Sequence, residues 1–317
     1  MTIHGPRLAT VIMLTSALTA PAMALAAEPE SCREVVFSDV GWTDISATTA
    51  LTATVMQALG YKTDIKILAL PVTYTAMATD DVDIFLGNWM PTQENDVRPY
   101  LDSGTVETIR TNLTGAKYTL ATNQAGRDLG ITDYSNIAEH APELDRKIYA
   151  IEPGNDGNRL LLEMVAMDKF GTGTFEIVES SEQGMLAQVA RADRAGDPIV
   201  FLGWEPHPMN SQFTLTYLSG GDEVFGPDFG GARVDTNIRQ NYAQECPNIG
   251  TFLSNLEFTL PMENEIMGRI LNDGEDPQTA ARGWLQANPD AADPWLVDVT
   301  TFDGGDAKAA LQAALAG

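Results

Sequence analysis

Cysteine and histidine are scarce in this chain. Its 317 residues include two cysteines, Cys32 and Cys246, and three histidines, His4, His140 and His207, which stand far apart. No cluster has metal-ligand spacing, so no metal centre is expected. Basic residues are also few. Nineteen Lys and Arg face 44 Asp and Glu, giving a formal net charge of −25. Such a surface repels phosphate backbones and anionic headgroups, which removes nucleic acid and the lipid surface as partners. Beyond the first 26 residues no run approaches the ~20 continuous apolar residues of a membrane helix. Catalytic signatures are missing as well: there is no G-x-S-x-G, H-E-x-x-H or Walker sequence. Gly171-Thr172-Gly173-Thr174 lacks the third glycine of a dinucleotide fingerprint, so no cofactor is expected. Glu205 and His207 flank Pro206 and read as a Pro-bounded turn rather than an acid/base pair.

The length suits two lobes of ordinary size, and a 44% hydrophobic content suits a globular chain rather than a disordered one. Arg7 is the only charged side chain before an apolar run from Leu8 to about Leu25, which ends in Ala24-Leu25-Ala26. This is the pattern of a cleaved export signal, residues 1–26, with Ala27 as the new terminus. The other reading is an N-terminal membrane anchor, which Thr10, Thr15, Ser16, Thr19 and Pro21 disfavour. Cleavage leaves an exported, soluble product with a charge of about −26. In an oxidising compartment Cys32 and Cys246 form either one disulfide or two free thiols. A bridge between such distant positions would stabilise by ~5 kcal/mol on the chain-entropy scale.

Short apolar strands alternate with helical patterns. EVVFSDV, KTDIKILAL, DVDIFLGN, KYTLAT, KIYAIEPG, FEIVES and DPIVFLGW read as strands. DISATTALTATVMQALGY, RLLLEMVAMDKF and EQGMLAQVARADRAG read as helices. The alternation predicts an α/β fold with mostly parallel sheets. From Cys246 onward the pattern is helical, punctuated by Pro261, Pro277, Pro289 and Pro294.

One stretch echoes another. Asp83-Ile84-Phe85-Leu86-Gly87-Asn88-Trp89-Met90-Pro91 resembles Ile199-Val200-Phe201-Leu202-Gly203-Trp204-Glu205-Pro206. Each is an apolar strand closing on Phe-Leu-Gly, then Trp, then Pro. Ligands of parallel α/β sheets sit beyond strand carboxyl ends, so two such ends predict two lobes presenting indoles to a shared site. Trp42 follows the first strand in the same way. Three indoles at loop tips in an acidic exported protein point to stacked rings meeting a ligand, and rings facing inward around a methylated cation form an aromatic box, although each could serve in packing. Trp284 and Trp295, in the helical tail, read as packing residues. Glu152-Pro153-Gly154-Asn155-Asp156-Gly157-Asn158-Arg159 is a Gly-rich turn opening a helix, either a simple cap or a grip on a ligand hydroxyl.

FSDVGWTDI, VDIFLGNWMPT, GAKYTLATN, IEPGNDGNRL, PIVFLGWEPHPMN and MENEIMGRILNDGEDP together resemble the substrate-binding proteins of bacterial ABC importers for quaternary amines, the glycine betaine/choline-binding family, and its choline-binding members in particular. The likeness spans nearly all of the chain after residue 26. It implies a two-lobed type II periplasmic-binding fold that closes on its ligand, with lobe one at 27–115 and 223–317 and lobe two at 116–222. It implies an aromatic box of Trp42, Trp89, Tyr118 and Trp204, with Asp44 and Asn155 at the ligand's hydroxyl end. Cys32 and Cys246 match the family's disulfide positions. The implied partners are choline, acetylcholine or betaine more weakly, and a membrane permease, the protein itself being a monomer and not an enzyme.

Elementary chemistry agrees with that box. A trimethylammonium head has no N–H to donate, but it is large, weakly hydrated and positive, which suits ring faces. Four desolvated cation–π contacts at about 2 kcal/mol each give roughly 8 kcal/mol before ordering costs, the scale of micromolar binding. A carboxylate at Asp44 would favour choline, a net cation, over betaine, whose own carboxylate it repels. A betaine or carnitine receptor is the alternative in the same class. A choline-ester hydrolase is the alternative in another, and it lacks a recognisable nucleophile and base.

Overall fold

The computed structural model describes residues 1–2 and 28–317. The cleavage site expected after Ala26 lies outside the described residues. Among those described, no helix is long and apolar enough to cross a membrane.

The first half alternates strand and helix. β1 (Glu34–Asp39) leads into α1 (Thr43–Ala58), then β2 (Lys62–Ile67), α2 (Leu70–Ala78), β3 (Ile84–Met90) and α3 (Glu94–Ser103). The 18-residue β4 (Val106–Asn123) follows, then α4 (Gln124–Asp128), α5 (Tyr134–Glu139), β5 (Lys147–Tyr149), α6 (Asp156–Ala166), β6 (Glu176–Val178), α7 (Glu182–Ala195), β7 (Val200–Glu205), β8 (Leu215–Tyr217) and β9 (Gly231–Arg239). The strand expected over KTDIKILAL stops at Ile67, and Pro71 sits in the first turn of α2 instead.

The nine strands among the described residues join one sheet in the order β2-β1-β3-β9-β4-β7-β5-β6, with β8 against β4. Its two ends are parallel, as the alternation predicts: β2-β1-β3 on one side and β7-β5-β6 on the other. The centre is antiparallel, because β4 and β9 pair with each other and each with one flank. These two long strands are the bridge between the two halves.

Helix α1 is buried on nearly all sides, wedged between the sheet and helices Leu260–Leu271 and Pro277–Ala287. Its threonines survive there because their hydroxyls bond back to their own helix: Thr48 to Asp44 O at 3.0 Å, Thr52 to Thr48 O at 2.8 Å and Thr54 to Ala50 O at 2.7 Å. The tail is helical as predicted. Pro261 and Pro277 open helices, Pro294 opens the turn Asp293–Leu296, and Pro289 follows a helix end. Trp284 and Trp295 are buried packing residues whose indole N–H groups reach Glu265 Oε2 and the Glu257 carbonyl. Cys32 and Cys246 are joined in a disulfide that closes a separation of 214 residues. It pins the start of β1 to the helical tail.

Candidate ligand-binding site

The turn after β1 delivers two site residues at once. Asp39 shapes it, accepting the Gly41 N–H at 2.7 Å and the Ser46 hydroxyl at 2.7 Å, while Gly41 takes φ +82°. Trp42 becomes the N-cap of α1 and Asp44 falls in its first turn, a position where the helix dipole favours a carboxylate. The opposite wall comes from the centre of the sheet. Tyr118 on β4 lies directly across from Trp204 on β7. The aromatic strand ends echo one another in space as in sequence: Trp89 and Trp204 each occupy the last turns of a strand that closes on a cis X–Pro bond, Met90–Pro91 and Glu205–Pro206. They sit inside the strands rather than on loop tips, and they are buried.

The Gly-rich turn completes the enclosure. Asn155 is the N-cap of α6, its Oδ1 accepting the Asn158 N–H at 3.1 Å and the Tyr118 hydroxyl at 3.2 Å. Gly157 is required here, because a Cβ at that position would run into the Tyr118 hydroxyl. The turn is thus both the cap and part of the pocket wall.

All six residues anticipated for the ligand converge. Trp42, Asp44, Trp89, Tyr118, Asn155 and Trp204 line one cavity, together with Ile151 and Asp156. Trp89 and Tyr118 ring centroids are 6.0 Å apart at 60°, and Tyr118 and Trp204 are 6.2 Å apart at 89°. A cavity walled by rings and closed by few polar groups suits a small, largely apolar ligand.

Two of the three indoles that line the cavity are fixed by an acid. Trp89 Nε1 donates to Asp44 Oδ2 at 3.0 Å, and Trp42 Nε1 donates to Glu152 Oε1 at 2.6 Å. Burial pushes the Asp44 carboxyl up to about 7, helped by the nearby Glu182 charge and opposed by the Trp89 N–H. Burial likewise raises Asp156 to about 7. Its Oδ1 takes an amide N–H from Asn155 at 3.3 Å, and the neighbouring Thr92 hydroxyl opposes the burial.

Sequence reasoning passed over Asp156, Glu152, Ile151 and Glu182. Asp156 stood within the Gly-rich turn, but one acid among 44 carries no signal of its own. Glu205 does not pair with His207; the His207 ring bonds Glu182 at 3.2 Å and packs 4.9 Å from the Trp204 ring.

Comparison with known proteins places this site in context. Residues 33–287 match the family described as the substrate binding domain of ABC-type glycine betaine transport system. A solved ABC-transporter choline binding protein in complex with choline is 64% identical, with 91% of this chain and 100% of that one covered, at a TM-score of 0.89. An ABC-transporter choline binding protein in an unliganded semi-closed conformation is also 64% identical, with 90% and 99% covered, at a TM-score of 0.83. The glycine betaine/carnitine transport binding protein GbuC of Listeria monocytogenes is 31% identical over 134 residues, which is 42% of this chain and 43% of that protein. The match of fold along whole chains makes the architecture two-lobed. The chain belongs to the family of substrate-binding domains of ABC-type glycine betaine transport systems.

Proposed function

We propose that this protein binds choline in the periplasm, in the box formed by Trp42, Trp89, Tyr118 and Trp204, and delivers it to a membrane permease of an ABC importer. The observation that carries this reading is one cavity that combines four electron-rich rings with two buried carboxyls, Asp44 and Asp156. Rings attract a quaternary ammonium without needing an N–H to bond, and the carboxyls add charge and accept the ligand hydroxyl. Asn155, already engaged by the Tyr118 hydroxyl, orients that end of the pocket.

Charge discriminates within the class. Two acids facing a zwitterion leave the carboxylate of glycine betaine or carnitine opposed, so both should bind more weakly than choline. Acetylcholine has no hydroxyl to donate to the pocket carboxyls and ranks below choline for that reason. Choline-ester hydrolysis is disfavoured because no Ser, Thr or Cys lines the cavity and His207 is committed to Glu182.

The lobes divide at 27–115 with 223–317, and 116–222. Two features support those boundaries. The β4/β9 register shifts between Leu113 and Ala116, where Gly115 takes φ +77°. The return crossing runs through Gly226 and Gly230, both at positive φ. Such positions absorb the backbone rotation of a hinge. Calorimetric titration of ligand-stripped protein with choline, acetylcholine and glycine betaine tests the whole reading. Choline should be tightest, and tighter binding of betaine would overturn the charge argument.

A further inference from the structure

Glu182, the first residue of α7, is only 2% exposed, yet its carboxylate accepts three hydrogen bonds from two sides of the cavity. From the β1–β3 side, Thr43 donates its backbone N–H to Oε2 at 2.9 Å and its hydroxyl to Oε1 at 2.5 Å. From the β5–β7 side, His207 meets Oε1 through Nε2 at 3.2 Å. The tautomer follows from the other ring nitrogen: the Met209 N–H donates to His207 Nδ1 at 2.9 Å, so the proton sits on Nε2. Both partners border the aromatic box. Thr43 stands between Trp42 and Asp44, and the His207 ring packs on Trp204. Helix α1 has no side-chain cap of its own, since its N-cap is Trp42. Its first N–H is satisfied by an acid from the far side of the cavity.

We propose that Glu182 is a positioning residue that latches the two walls of the pocket together around the bound cation. The inference rests on the reading above that the two lobes close on choline. In an open form Thr43 and Glu182 separate and water takes each of their bonds, so the latch acts on the closed state alone. The carboxylate is required by the donor count. All three groups facing it are donors, whereas a Gln amide has one oxygen and one NH2. Either orientation of the amide points an N–H at the Thr43 N–H or at the His207 Nε2–H.

Glu182 also carries charge near Asp44, so a second substitution must separate latch from field. Thr43→Val removes one donor while keeping every charge, and Thr43→Ser restores the hydroxyl. Stopped-flow tryptophan fluorescence with choline reads association and dissociation separately, beside thermal melts of the ligand-free and choline-loaded protein. Glu182→Gln and Thr43→Val should speed dissociation by about tenfold or more, with association within about threefold. Thr43→Ser should stay within about threefold of the unaltered protein. Melting of the ligand-free variants should move less than that of the loaded ones.

Unchanged dissociation in both Glu182→Gln and Thr43→Val, with the unaltered protein binding choline, would overturn the latch. So would equal losses of melting temperature with and without choline, the sign of a plain packing role. Should Glu182→Gln not fold, the Thr43 pair decides. Failure of the unaltered protein to bind choline would remove the functional reading itself and this inference with it.

Discussion

The indole of Trp89 and the carboxylate of Asp44 are joined at 3.0 Å, tying the end of β3 to the first turn of α1. The bond does two things. It fixes the face of one box wall, and it is the largest of the bonds that oppose the burial raising the Asp44 carboxyl, ahead of those from the Ile45 and Asp44 backbone. Ring geometry and charge in this pocket are therefore one system, and a change to either partner disturbs both.

Asp44→Asn keeps the size of the side chain and an oxygen for the Trp89 N–H but removes the charge. Choline affinity should drop by roughly 10- to 100-fold, the scale of losing one desolvated ionic partner. Glycine betaine should lose less or gain, so the choline-to-betaine preference narrows. Parallel titrations with both ligands check this, and an equal loss for the two would show that Asp44 does not select by charge.

The raised acids make binding depend on pH. Asp44 and Asp156 are both lifted to about 7, first of all by burial. A cation binds the ionised carboxylate better, so loading choline near pH 7 should release protons. Affinity should fall as pH drops below about 7, by up to tenfold per pH unit for each acid that must ionise. Ligand-free stability runs the opposite way. The folded state holds these protons more tightly than the unfolded chain, so melting temperature should rise as pH falls from about 7 toward 4. Titrations in buffers of different ionisation heat count the released protons, and a flat affinity from pH 8 to 5 would contradict the assignment.

Much of this site was legible in the sequence because rings and turn residues are rare enough to stand out. The paired Phe-Leu-Gly strand ends located Trp89 and Trp204, and the parallel flanks followed from the alternation of strands and helices. The long bridge strands were harder to see. β9 has no apolar alternation: Asp235, Thr236 and Asn237 are buried, with Asp235 taking the Thr111 hydroxyl at 2.6 Å and Thr236 the Asn112 amide at 2.9 Å. Two of these three side chains are bonded across the sheet, while the Asn237 amide has no partner among the described residues, and a strand with buried polar side chains looks like a loop until its neighbours are known. The same holds for Asp156 and Glu182. In so acidic a chain, the acids that matter differ from the rest only by burial and by what faces them.

Trp204→Ala removes a ring that Tyr118 and His207 both pack against. Choline binding should weaken by about 30-fold, one desolvated cation–π contact of about 2 kcal/mol. The truncation also opens a void beside His207, so ligand-free melting should fall as well. Trp204→Phe separates the effects, refilling most of the void with a weaker ring. Its melting temperature should recover more fully than its affinity, and full recovery of affinity would mean that ring electronics at this wall are unimportant.

The disulfide should matter for stability and not for the pocket. Cys32 and Cys246 are both buried, both flank the β1 side of the sheet, and no cavity-lining residue lies beside either in sequence. Replacing both with Ser removes a constraint across 214 residues. The loss should be about 2–5 kcal/mol of unfolding free energy, because the unfolded chain regains the freedom the bridge denied it. Choline affinity at a temperature where the variant stays folded should change by less than about threefold, since both cysteines fall in the same proposed lobe. Denaturant melts and calorimetry on the same double variant provide both numbers. A large loss of affinity with little loss of stability would place the bridge across the moving boundary and would require the proposed lobe limits to be redrawn.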